Sequence, residues 1–410
     1  MAKKDKKEKM QSPLSGIKVV GVGGAGGNMV TRMGKDFVKG VDFIAINTDH
    51  QDLDHSEAKR KIYIGRNLTR GLGTGMSPEL GRQAAEENRS EIAEALSGAD
   101  IIFIAAGFGG GTGTGASPVV AEVAKQSGAL TLAFVAKPFA FEGTQREKVA
   151  TEGLSRLKDK VDALVVVSND RVFTIISKDT TINKAFEVID EVLKNALRGI
   201  VDLIVTPGII NVDFADVKSI IQDAGSAIIG SGLATGQDRA ITAVNQALNS
   251  PLLDVSAEGA KGVLLGISGG RDLKMTEINE AAKVVAQTAD PGARIIFGAY
   301  YDRRLKPNQI KVTLIATGFN SVQPVNSLFV SEFEAKKPEF LNGFKSDVNQ
   351  DQKFKPLKDV GVGRSVEPQL KPGAVLTKAS IEKINLAEEK KKERESDIWD
   401  IPTFLRKRKK

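Results

Sequence analysis

Five short apolar runs, Ile17–Val22 and residues 41–46, 101–106, 129–135 and 161–167, alternate with stretches of helical period such as 78–96 and 117–126. Strands that are apolar on both faces must be covered on both faces, and alternation with helices joins them by crossovers. The expectation is an α/β fold, a Rossmann-type parallel sheet over 17–180 behind a basic N-terminal tail, 1–16. Residues 181–206 then form one long amphipathic stretch, with Ala185, Ile189, Leu193 and Leu197 on a single stripe. It is read as a central helix joining two domains. Pro207 and Gly208 end it. A second, smaller α/β domain is expected over 207–319, with strands at 262–267, 294–300 and 310–316. Residues 320–395 are polar and without period, and are read as a disordered linker. Apolar residues return in 396–410.

Composition narrows the chemistry. The 410 residues contain no cysteine, which excludes disulfides and thiolate catalysis and fits a reducing compartment. The two histidines, His50 and His55, share one loop and are read as solvated. No secretory leader is visible, and no apolar run approaches the ~20 residues of a membrane span, so the chain reads as cytoplasmic. The net charge of +7 sits in the ends: residues 1–16 carry +3 and residues 321–410 carry +5, which leaves the body near −1. A nucleic-acid groove on that body is not expected.

Two glycine-rich loops carry the functional signal. The first strand runs into "GVGGAGGN", a G-x-G-x-x-G at Gly21, Gly23 and Gly26. Asp49, beyond the next strand, lies about where a dinucleotide fold keeps its ribose-binding acid. An NAD-dependent oxidoreductase is one reading. The second loop, "GFGGGTGTGASP" from Gly107, follows another apolar strand and lacks the lysine of a G-x-x-x-x-G-K-[ST] phosphate loop. Two loops at the carboxyl ends of parallel strands, each opening a helix, can converge on one anion. That pair suits a triphosphate better than a bridging pyrophosphate, with amides, the Thr112 and Thr114 hydroxyls and Mg²⁺ balancing the charge.

"GGGTGTG", together with "GVGGAGGN", "FIAINTD", "KPFAFEGTQR", "VSND", "TPGIINVDFADV" and the terminal "DIPTFLRKRKK", resembles the FtsZ family of bacterial, tubulin-like cell-division GTPases. The likeness implies GTP/GDP as ligand. It implies phosphate contacts from Gly24, Ala25, Gly26, Gly27 and Asn28 and from Gly110, Gly111, Thr112, Gly113 and Thr114. Glu142 and Arg146 match residues facing ribose and phosphates; read alone, they are a surface i,i+4 pair. Asn28, Asn169 and Asp190 match positions around guanine, and Phe186 matches the base-stacking position. Ser168 departs from the proline common before "ND".

For hydrolysis, "NVDFADV" offers Asp213 and Asp216, whose spacing alone reads as a helix N-cap. The resemblance implies instead that Asn211, Asp213 and Asp216 complete a neighbouring subunit's pocket, so that head-to-tail self-assembly activates a GTPase at the septum, on the inner face of the membrane. A polymer scaffold without turnover is the third reading. Ile398, Trp399, Ile401, Phe404 and Leu405 cluster before five basic residues, as in a helix-in-groove peptide. The resemblance makes this a dock for membrane tethers and assembly regulators, and "RKRKK" could add weak contact with anionic lipid.

Overall fold

The computed structural model describes residues 16–34, 37, 40–177, 179–250 and 257–319. The N-terminal tail, the polar linker and the terminal peptide lie outside the described residues. The chain runs β1 (Ile17–Val22), α1 (Gly23–Gly34), β2 (Val41–Asn47), α2 (His50–His55), β3 (Arg60–Tyr63), α3 (Arg66–Thr69), α4 (Pro78–Glu87), α5 (Arg89–Leu96) and β4 (Ile101–Gly107). It continues through α6 (Thr112–Gln126), β5 (Leu130–Lys137), α7 (Thr144–Lys158), β6 (Ala163–Ser168) and the 24-residue α8 (Ile182–Val205). Then come α9 (Phe214–Ile221), β7 (Gly225–Thr235), α10 (Arg239–Leu248), β8 (Gly262–Gly269), α11 (Met275–Thr288), β9 (Arg294–Tyr301) and β10 (Gln309–Thr317).

The ten strands form one mixed sheet in the order β3-β2-β1-β4-β5-β6-β7-β10-β8-β9. Neighbours are parallel from β3 through β7, and β8 is parallel to β9; only β10 runs antiparallel to both its neighbours. The first six strands have the order of dinucleotide-binding folds, in which direction of winding reverses between β1 and β4 and opens a crevice at their carboxyl ends.

The apolar strands divide their residues by alternation, as a doubly covered sheet requires. Ile101, Phe103 and Ala105 join a core with Met29 and Met33 of α1 and Ile189 and Leu193 of α8. Ile102, Ile104 and Ala106 join a second core with Ala84, Ile92 and Val120 from the opposite helices. The expected stripe of α8, from Ala185 to Leu197, is buried. A third core covers β8 and β10 with α10 and α11.

Two local expectations are corrected. The stretch 78–96 is two helices meeting at Asn88, whose side chain turns away to accept from Gly65 N at 3.0 Å. Helix α6 starts at Thr112, five residues before the expected Ser117, so Pro118 lies inside it. A Cβ on Gly115 would sit 1.9 Å from Pro78 O, which explains why the glycines continue as helix: they let α4 and α6 touch.

Strand β7, "GSAIIGSGLAT", was not anticipated, because its glycines read as loop. They are what lets α10 lie on the strand. A Cβ at Gly230 would be 1.8 Å from Ala247 O, and one at Gly232 would be 1.9 Å from Ala243 O. Both carbonyls belong to the helix backbone and cannot swing aside. Gly232→Ala is therefore expected to cost about 1–3 kcal/mol through overpacking. Urea unfolding would register this as a lower midpoint, with guanine-nucleotide affinity of the folded fraction unchanged; an unaltered midpoint would show that α10 can lift off β7 freely.

Candidate functional site

The crevice at the carboxyl ends of β1, β4, β5 and β6 is a cavity of about 320 Å³. Its floor begins where β1 turns into α1. Gly23 has φ +72°, which glycine adopts without strain. A Cβ on Gly26 would lie 2.3 Å from Ala105 O of β4, so the first turn of α1 is seated on the neighbouring strand. Gly24, Ala25 and Asn28 line the cavity; Gly26 does not, nor does Gly27.

The second loop leaves β4 and enters α6. Gly110, Gly111, Thr112 and Gly113 line the cavity. The glycines differ in what they do. Gly111 is walled in, since a Cβ there would be 2.2 Å from Thr74 Oγ1, whereas a Cβ on Gly110 would meet nothing within 4 Å. Thr112 Oγ1 lies 2.6 Å from Thr48 Oγ1 and 3.0 Å from Thr74 Oγ1, all three buried. Thr114 is placed differently from the expectation: its hydroxyl accepts from Gly109 N at 3.0 Å, holding the loop rather than facing the cavity. The N-termini of α1 and α6, with unpaired first-turn amides, thus flank one space suited to an anion. Neither loop carries a cation, yet Arg32, Lys137 and Arg146 reach the cavity from neighbouring elements.

A third loop went unread in the sequence. Leu72, Gly73, Thr74, Gly75 and Met76 form another wall, and Gly71, Gly73, Gly75 and Met76 all have positive φ. Its "GLGTGM" has the glycine density of the other two, which was the available signal. Asp49 is bridged to Leu72 and caps α2, its Oδ1 accepting from Gln51 N at 2.9 Å and Asp52 N at 3.2 Å. The carboxylate that a nicotinamide reading would give to ribose is therefore spent on a helix end.

At the other end of the cavity stand Asn169, Phe186 and Asp190. Phe186 meets Phe139 edge-on, with ring centroids 5.8 Å apart. Asn169 Oδ1 is buried and has no hydrogen-bond partner among the described residues. Asp190 is 6% exposed and accepts from Arg32 Nε. Ser168, before Asn169, is extended (φ −88°, ψ 119°) and closes β6 in register with Lys137. Glu142 and Arg146 are not the surface pair that their spacing suggests. Glu142 Oε2 is 3.3 Å from Arg146, the two side chains are only 5% and 17% exposed, and both line the cavity. Burial pushes the Glu142 carboxyl above its usual range, against a bond from Phe139 N and the charge of Arg146.

Asn211, Asp213 and Asp216 lie elsewhere. None lines the cavity. Phe186 and the loop are separated by α8, whose axis rises roughly 28 Å from Phe186 to Val205. The loop is pinned to β9, with Ile210 N donating to Ala299 O at 3.0 Å and Ala299 N returning a bond to Ile210 O at 3.0 Å. Asn211 Oδ1 accepts from Gly208 N at 2.7 Å. Asp213 stands at the N-cap of α9, and its amide donates to Asp216 Oδ2 at 3.3 Å. The cap reading thus holds as local structure, and Asp213 and Asn211 are exposed. Among the described residues, no cluster of three His, Asp or Glu is arranged to hold a metal ion, and no helix is long and apolar enough to cross a membrane.

The family model "Tubulin/FtsZ family, GTPase domain" matches residues 16–177, and "FtsZ family, C-terminal domain" matches residues 225–320. Among solved structures, an empty dimer of FtsZ from M. jannaschii is 48% identical, with 74% of this chain and 88% of that chain covered and a TM-score of 0.69. A mutant form of FtsZ from M. jannaschii is also 48% identical over 75% and 92% of the two chains, with a TM-score of 0.70. CetZ2 from Haloferax volcanii, solved as a protofilament with GTPγS bound, shares the fold at 22% identity, with 76% and 96% covered and a TM-score of 0.65. The chain belongs to the FtsZ family, within the tubulin-like, filament-forming GTPases.

Proposed function

We propose that the cavity binds GTP with its phosphates over the N-termini of α1 and α6 and its guanine between Asn169, Phe186 and Asp190, and that hydrolysis is completed by a second copy. In this reading Gly24–Asn28 and Gly110–Gly113 supply amides, Thr114 braces their loop, and Glu142 and Arg146 meet ribose and phosphate. The orphaned Asn169 Oδ1 supports a donor-rich base, since a buried acceptor without a partner costs about 1–3 kcal/mol until a ligand fills it. Mg²⁺ suits the hard oxygens present: with GTP bound, phosphate oxygens and water would hold it beside the Thr112 hydroxyl, and it would offset charge on the transferred phosphoryl group.

The observation that carries the in-trans step is the separation of parts. Asp49, Asp52, Glu142 and Asp190 are the cavity's own carboxylates, of which Glu142, Asp190 and Asp49 are engaged by the protein itself, while Asp213 and Asp216 stand at the far end of α8. Apolar residues lie exposed at both ends. Leu72 lines the cavity and Phe141 and Phe173 pack on Phe139 beside Phe186, while Val205 and Ile209 flank the loop in sequence and Phe297 lies on β9, to which the loop is pinned. Two unlike surfaces that meet head to tail make an open, heterologous contact, which propagates as a filament. In it, Asp213 and Asp216 of one copy orient water at the next copy's γ-phosphate, with Asn211 shaping the loop. Family membership supports assembly at the division site, and docking of membrane tethers through Ile398, Trp399, Ile401, Phe404 and Leu405 is proposed on sequence grounds.

Two experiments test the two halves of the reading. Gly110 faces open space at negative φ, so Gly110→Val is expected to leave the fold intact and lower GDP affinity at least about tenfold, read by equilibrium titration. Undiminished affinity would remove the phosphates from this loop. Asp216→Ala is expected to keep GTP binding by the monomer within about twofold and to lower phosphate release by about 100-fold or more. Mixed with Gly110→Val subunits, which donate an intact loop, the Asp216→Ala subunits should regain turnover. A mixture no more active than its parents would place the water-positioning group within the same chain.

A further inference from the structure

Arg32 belongs to the cavity but to none of the motifs that define it. It sits on α1 one turn beyond Asn28, lines the cavity, and reaches across to α8, where its Nε donates to Asp190 Oδ2. The two residues are 158 positions apart in sequence, so the pair is a product of the fold. Its surroundings are dry: the Arg32 side chain is 23% exposed and that of Asp190 8%. Met29 beside Arg32 and Ile189 beside Asp190 are buried in one core and also line the cavity.

A carboxylate taken out of water without a cation is costly and tends to neutralise by taking a proton. A protonated acid would present an O–H toward the base, and a carboxyl free to rotate would present its acceptors in no fixed plane. The guanidinium removes both difficulties, because a charge-assisted bond to one oxygen fixes the plane of the group and keeps it an acceptor. Guanine is the common purine whose N1 and exocyclic N2 both donate on one edge. Hypoxanthine keeps N1–H but lacks the 2-amino group, and adenine offers an acceptor at N1.

We infer that Arg32 is a positioning residue for purine selection: it orients the Asp190 carboxylate so that both oxygens' acceptor edge meets N1–H and the 2-amino group together. This rests on the proposed placement of guanine at Asp190. Arg32 acts on the base through Asp190's geometry, and its removal is expected to erase the energetic value of the 2-amino group more than binding as a whole.

The measurement is equilibrium titration of the full chain, wild type, Arg32→Met and Arg32→Lys, with GDP and with IDP. Methionine keeps the aliphatic length at a partly exposed site, and lysine restores charge without the planar fork. Wild type is expected to prefer GDP over IDP by about tenfold or more, the worth of a bond to a charged acceptor. In Arg32→Met the GDP affinity falls about tenfold and the preference shrinks to about threefold or less, while Arg32→Lys recovers an intermediate preference. If Arg32→Met keeps the wild-type preference, even with both affinities reduced alike, Arg32 only braces α1 against α8 and the inference is overturned. If wild type itself does not distinguish GDP from IDP, the placement of guanine at Asp190 is wrong, and the inference falls with it.

Discussion

Everything at the site depends on how closely two helices can approach two strands. At the point where the sheet reverses its winding, α1 and α6 leave adjacent parallel strands, and their first turns are in backbone contact with the sheet and with each other's loops. A Cβ on Gly26 would strike Ala105 O, one on Gly113 would strike Gly107 O at 2.4 Å, and one on Gly23 would come within 2.8 Å of Gly113 N. The lack of a side chain at these glycines is what permits the approach. They bring two helix N-termini to one small space, so that partial positive charge and free amides accumulate without a lysine in the loop. The usual phosphate loop solves the same electrostatic problem with a point charge. Here the solution is geometric, and it tolerates no added atoms at Gly23, Gly26 or Gly113.

The second constraint is the length of α8. It carries cavity residues on its first turns and delivers the Asp213 loop from its last, so the same rigid element that builds the binding site removes the acidic loop from it. On the proposed in-trans reading, a shorter connector would let one chain own a complete site. The helix is also held at both ends by buried aspartates, each paired with an arginine from a different half of the sheet. Asp190 is met by Arg32 of α1, and Asp202 by Arg304, whose Nη2 lies 2.5 Å from Asp202 Oδ2 while its Nε holds Asp302 at 2.8 Å. Buried ion pairs add little net stability, because desolvation offsets most of the attraction. What they contribute is register: sliding α8 by one turn would strand both carboxylates.

Legibility in the sequence followed the physics of each segment. β1 was readable residue for residue, and β2 and β4 to within one, because both faces are apolar and the run has sharp ends. The stripe on α8 was readable because its period persists for 24 residues. Strand β3, "RKIY", was not, since an edge strand of four residues with two cations has no apolar signature. Strand β7 was missed because glycine serves there for helix approach rather than for a turn. At the site, the two glycine loops are legible as motifs, whereas Glu142, Arg146, Asn169, Phe186 and Asp190 are singled out only by the family resemblance, and the fold brings most of these residues to one cavity. Thr114 was assigned to the wrong direction, as only the loop's internal hydrogen bond decides it. Arg32 is invisible to motif reading because its role comes from a distant partner, whereas the Leu72–Met76 wall carries a signal in the glycine density of "GLGTGM".

One asymmetry in the electrostatics gives the separation of parts a consequence. A free carboxylate beside a triphosphate repels it, so a chain holding Asp213 and Asp216 permanently in its own cavity would weaken the binding on which its catalysis depends. Of the carboxylates that line the cavity, Asp190 is restrained by Arg32, Glu142 by Arg146 and the Phe139 amide, and Asp49 by the α2 cap. In the proposed arrangement, carrying Asp213 and Asp216 on the opposite end lets each copy bind nucleotide against a field set by helix dipoles and by Arg32, Lys137 and Arg146. In the proposed head-to-tail contact the repulsion would be met only on assembly, where burial of the exposed apolar residues at the two ends would supply the opposing free energy. On the proposed in-trans reading, binding is strong in the monomer, hydrolysis is confined to the assembled state, and loss of the γ-phosphate changes the balance of charge at the contact between two copies.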